Sequence, residues 1–74
     1  GPPTKRRWSL LTEIFDHYPE ENEEKAQMAI SIGRYGGEEA VTFLEKALES
    51  TSLANGPYGE RLKKALESAK HKTN

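Results

Sequence analysis

The stretch EEKAQMAISIGRYGGEEAVTFLEKALES, residues 23–50, decides the fold. Its first part places Ala26, Ala29, Ile30 and Gly33 at helical spacing, and Met28 and Ile32 widen that stripe around most of the circumference. A helix apolar nearly all round is buried between neighbours. Its small residues let one neighbour approach closely. Asn22 stands before it as an N-cap, and Glu23 and Glu24 suit the positive end of the helix dipole. The spacing predicts a helix to about Arg34. The second part puts Ala40, Val41, Leu44, Ala47 and Leu48 on one face, Phe43 at its edge, and Glu45 and Glu49 toward solvent. This predicts a helix over 38–50. Tyr35-Gly36-Gly37-Glu38-Glu39 is the corner between them, one glycine closing the first helix in a left-handed conformation and the other opening the next. No strand, phosphate-binding lysine or dinucleotide spacing accompanies the glycine pair, so it reads as a corner and not a phosphate loop.

Outward from this centre the pattern stays helical. Residues 1–8 read as a tag remnant, Gly1-Pro2, and a basic flexible lead-in ending in Lys5-Arg6-Arg7-Trp8. Ser9 is a candidate N-cap for a first helix, 9–18, with Leu11, Ile14, Phe15 and Tyr18 as its apolar stripe and Leu10 widening it. Pro19 ends it. Downstream, 51–55 reads as a polar linker interrupted only by Leu53. Pro57 restarts helix at a first-turn position. Leu62, Ala65, Leu66 and Ala69 form the stripe of a last helix running to about Lys70, with 71–74 expected to fray. The expectation is an all-α fold of four short helices, forming one domain over residues 9–70.

The chain has 74 residues, no cysteine and a net charge of −1. Disulfides, thiolate metal sites and cysteine nucleophiles are excluded. No apolar run reaches the length of a membrane span and no signal peptide is visible, which points to a cytoplasmic protein without membrane contact. The charge is segregated. Residues 1–12 carry three cations and no acid, residues 13–49 carry ten acids against Lys25, Arg34 and Lys46, and residues 50–74 return to a surplus of three cations. A solvated shell around a small helical core accounts for much of this pattern.

An internal repeat links the halves. The first helix maps onto the third at an offset of thirty (Leu11 onto Val41, Ile14 onto Leu44, Tyr18 onto Leu48). The second maps onto the last at thirty-six (Ala26 onto Leu62, Ala29 onto Ala65, Ile30 onto Leu66, Gly33 onto Ala69). Two helical hairpins, neither able to bury its own apolar face, are the mark of a helical repeat. Residues 24–48 resemble the HEAT-like repeats of the phycobilisome-lyase type: small residues in one helix, Ile32-Gly33 near its end, a glycine–acid corner, then Ala40-Val41, Leu44 and Ala47-Leu48. The resemblance continues loosely through the last helix, where Ala69 replaces the glycine. It weakens in the first, where Phe15, His17 and Tyr18 are atypical and Pro19 intervenes. It implies two stacked hairpins in an α–α superhelix and a protein–protein scaffolding role without shared catalytic residues.

The residues themselves offer little chemistry. His17 and Asp16 are adjacent and do not face each other on a helix. Glu13, Glu20 and Glu21 near His17 match no metal-ligand spacing, and no serine sits in a glycine elbow. The reading is a non-catalytic module with no cofactor or metal, monomeric or weakly self-associating, that binds a protein. Trp8, Tyr35 and Tyr58 are its candidate anchors, since aromatic side chains dominate interface energy. For Trp8 the competing reading is a lid folded onto the core. The alternative is a nucleic-acid-binding helical domain in which Lys5, Arg6 and Arg7 join Arg61, Lys63 and Lys64 in one phosphate-contacting patch.

Overall fold

The computed structural model describes the backbone of residues 3–73 and the side chains of residues 3–72. Gly1-Pro2, read as the tag remnant, and Asn74 of the expected frayed tail lie outside the described residues. The described chain is all-α, with five helices: α1 (Lys5–Asp16), α2 (Glu23–Gly33), α3 (Glu38–Ala47), α4 (Thr51–Ala54) and α5 (Gly59–Thr73). No helix is long and apolar enough to cross a membrane among the described residues.

The central stretch folds as its pattern requires. Asn22 caps α2, its Oδ1 accepting from the Lys25 amide at 3.1 Å. Gly36 and Gly37 are the two described residues with positive φ, at 74° and 89°, and they form the corner into α3. Leu44 of α3 lies fully buried against Gly33 of α2. A Cβ on Gly33 would come within 2.7 Å of Leu44 Cδ1, so the missing side chain is what admits the leucine.

Three sequence expectations are corrected. First, α1 begins at Lys5, where a flexible lead-in was expected, and its cap is Thr4, whose Oγ1 accepts from the Arg7 amide at 3.2 Å; Ser9 sits inside the helix. Three consecutive cations disguise this first turn, because they oppose the helix dipole. Second, the expected linker holds a fourth, short helix, α4. Ser50 caps it, and it turns Leu53 into the core at 3% exposure. Third, helix continues through His71 and Lys72 to Thr73, where fraying was expected.

The helices pair as α1 with α2 and α3 with α5, the latter in the most extensive contact of the molecule. The first pair stacks on the second. The Phe15 and Phe43 rings join α1 to α3 with centroids 4.9 Å apart and nearly perpendicular planes, while α2 packs along α5. The Cα envelope measures 29 × 24 × 16 Å. Between the layers lies one core, built from Trp8, Phe15, Ala26, Ala29, Ile32, Ala40, Phe43, Leu44, Ala47, Leu53, Leu62 and Ala69.

Burial tests the internal repeat. At thirty-six the α2 and α5 faces agree, because Ala26, Gly33, Leu62 and Ala69 are all buried. At thirty, α1 and α3 disagree, since Ile14 is half-exposed where Leu44 is sealed. The buried phases match at thirty-two, with Trp8 over Ala40 and Phe15 over Ala47. Of the α1 stripe read from the sequence, Phe15 is buried and Leu11 packs against the core, while Ile14 lies outside and Trp8 takes a place in the core.

Candidate functional site

The two layers present two different outer grooves. Along α1 and α3 runs a cleft of about 790 Å³ lined by Glu13, Asp16, Glu38 and Glu39 against Lys5 and Lys46, with edges of Trp8 and Phe43 at its base. Asp16 and Lys46 pair across it at 3.2 Å.

Along α2 and α5 runs a groove of about 620 Å³ of the opposite sign. Arg61, Lys64, Ser68 and Lys72 recur along α5 at helical spacing, which sets them on one face. Gln27, Ile30, Ser31 and Arg34 do the same on α2, and Gly33 and Ala65 complete the lining. Among the described residues no carboxylate lines it. None of the four cations is in an ion pair among the described residues. Local bonds hold the walls in place. Lys72 Nζ donates to the Arg34 carbonyl at 3.1 Å, bridging the end of α2 to α5. At the other end Gln27 donates to the Tyr58 hydroxyl at 3.2 Å, Tyr58 donates to Glu23 at 2.5 Å, and the Arg61 guanidinium lies 5.2 Å over the Tyr58 ring. Like charges gathered on two facing helices repel, and an anionic ligand would relieve that repulsion.

The three aromatic candidates separate on inspection. Trp8 is 6% exposed, packed against Phe43 and edge-on to Tyr35, so the core-lid reading holds and it is not a free anchor. Its place on α1 turns it toward α3. Tyr58 is half-buried with its hydroxyl engaged twice. Tyr35, half-exposed, is the one of the three that offers substantial surface.

The single basic patch expected for nucleic-acid contact does not form as expected. Lys5 faces the acidic α1/α3 cleft, whereas Arg61 and Lys64 line the α2/α5 groove. Lys63 pairs with Glu60 at 3.5 Å. Arg6 and Arg7 are exposed on the first turn of α1. The residues missed from the sequence are Arg34 and Lys72. The spacing of Arg61, Lys64 and Lys72 on one helix signals the latter. Arg34 is brought in only by the packing of α2 on α5.

A second polar cluster ties the layers together. The Lys25 ammonium is buried 4.7 Å over the Phe15 ring and donates to Glu21 at 2.6 Å. The Ser50 hydroxyl donates to the other Glu21 oxygen at 2.6 Å. These two bonds, Lys25 first, hold the Glu21 carboxyl below the usual carboxylate range. His17 uses Nδ1 to donate to the Glu13 carbonyl at 2.9 Å. Among the described residues no three His, Asp or Glu side chains gather as a metal site would require.

No protein-family model, curated protein or solved structure matches the chain.

Proposed function

We propose that the chain is a non-catalytic protein-interaction module of the HEAT-like helical kind, and that its α2/α5 groove receives an acidic segment of a partner protein. The observation that carries this is the groove's charge: Arg34, Arg61, Lys64 and Lys72 face it, with no acid among them. Ile30, Ala65 and Gly33 add an apolar strip along the same groove, suiting a segment that alternates carboxylates with small apolar side chains. Electrostatic complementarity of this sort selects a partner and speeds its arrival. The packing of α2 along α5 and the Phe15–Phe43 contact between α1 and α3 support the helical-repeat reading.

The nucleic-acid reading retains one supporting observation, the same four unpaired cations. Against it, no aromatic ring lines the groove to stack a base, and the net charge of −1 gives no long-range attraction for a polyanion. Fluorescence anisotropy with a labelled, Glu-rich amphipathic peptide of about 15 residues, its Lys-rich counterpart and a duplex of about 20 base pairs separates the two. The expected result is salt-sensitive binding of the acidic peptide, lost in an Arg61→Glu/Lys64→Glu variant that keeps its helical circular dichroism. Tighter binding of the duplex, or equal binding of both peptides, overturns the proposal.

A further inference from the structure

Three of the four long helices carry terminal charges in the sense their dipoles favour. Glu23 and Glu24 open α2, Glu38 and Glu39 open α3 with Lys46 closing it, and Glu60 opens α5 with Lys70, His71 and Lys72 closing it. Helix α1 is reversed. Lys5, Arg6 and Arg7 fill its first turn, its last turn holds no base, and Glu13 and Asp16 stand toward its end. Such placement works against the helix itself, and none of the three cations is in an ion pair among the described residues. Helix α1 also leaves large aliphatic side chains outside. Leu10 and Ile14, one turn apart and away from buried Trp8 and Phe15, are 53% and 51% exposed. Arg6 precedes Leu10 by one turn, so charge and apolar surface share one row.

We propose that this row docks against the same row of a second copy, α1 on α1 and antiparallel, about a twofold axis passing between Leu10 and Ile14. The charge pattern is self-complementary in that orientation alone. Each basic first turn meets the acidic far end of the other α1, where Glu13 is followed by Glu20 and by Glu24, hydrogen-bonded to Tyr18. The two misoriented charge sets then neutralise each other, and the opposed dipoles attract. The surface is isologous, so assembly closes at two copies. One helix face is a small interface, and the dimer is accordingly weak, with Kd of about 10–100 μM.

Sedimentation velocity over a concentration series tests this, with single introduced cysteines reading the orientation in a chain that has none of its own. The expected result is a reversible dimer that weakens with salt. It is lost in Ile14→Glu with helical content intact and lost in Arg6→Glu/Arg7→Glu. It is regained when Glu13→Lys/Glu24→Lys is added to that charge-reversed chain. Leu10→Cys should cross-link readily and Arg6→Cys poorly, because the two copies of position 6 lie about 18 Å apart along the helices. A monomer up to about 1 mM, a dimer indifferent to Ile14→Glu, or equal cross-linking from positions 6 and 10 overturns the proposal.

Discussion

The two helical hairpins share an architecture and divide the work. In the α3/α5 hairpin, Leu44 and Leu62 are the two largest fully buried side chains, and charges follow the helix dipoles at both ends. In the α1/α2 hairpin, α2 buries five residues, whereas α1 buries only Trp8 and Phe15 and leaves Leu10 and Ile14 outside. A domain of this size has little stability to spare, on the order of 4–11 kcal/mol. The hairpins contribute nearly equally to the core, five residues from α1 and α2 and six from α3 and α5, so the outward edge of α1 is available for contacts at little cost to the fold.

That contrast can be broken most severely at Leu44. Leu44→Asp puts a carboxylate into a fully buried site with no partner, and its cost should exceed the total stability of the domain. Circular dichroism should show no cooperative melt. Gly59→Ala should come next. A Cβ there would stand 1.9 Å from the Ala54 carbonyl oxygen, so the α4–α5 backbone must move. A loss of about 3 kcal/mol is expected from chemical denaturation.

A smaller effect belongs to the seam between the hairpins. Glu21→Ala strands the buried Lys25 ammonium and frees Ser50, for a loss of about 1–2 kcal/mol, moderated because Glu21 itself is 41% exposed. The pH dependence has a definite sign. The folded-state pKa of Glu21 is depressed, so its contribution is present above the unfolded value and lost as pH falls through the folded one. Denaturation midpoints of the wild type should therefore fall more steeply than those of Glu21→Gln below the usual carboxylate range. The smallest effect is expected at Leu10. At concentrations where the monomer dominates, Leu10→Glu should shift stability by no more than about 0.5 kcal/mol. A loss near that of Leu44→Asp would show that the α1 edge belongs to the core and would abolish the contrast between the hairpins.

The same contrast explains which parts of the molecule were legible in advance. The α2–corner–α3 segment was readable because its signals agree: a cap at Asn22, acids in both first turns, small residues on the close-packed face, and two glycines where φ turns positive. Helix α5 and its match to α2 at thirty-six were readable for the same reason. The candidate groove was partly visible, since Arg61, Lys64 and Lys72 share a face of α5, while Arg34 joins them only across the α2–α5 packing. The start of α1 was hidden by cations that contradict the dipole, and α4 by its four-residue length.

By itself the sequence determined that the chain is helical, where its central corner falls, and which faces of α2, α3 and α5 turn inward, because each of those choices rests on spacing along one helix. Tertiary structure alone decided that Trp8, and not Ile14, joins Phe15 on the core face of α1, and with it the shift of the α1–α3 correspondence from thirty to thirty-two. The physical reason is volume. The space above α3 beside Phe43 is filled by the rings of Trp8 and Phe15, whereas periodicity counts an aliphatic Ile14 as their equal and carries no information about the shape it must fill.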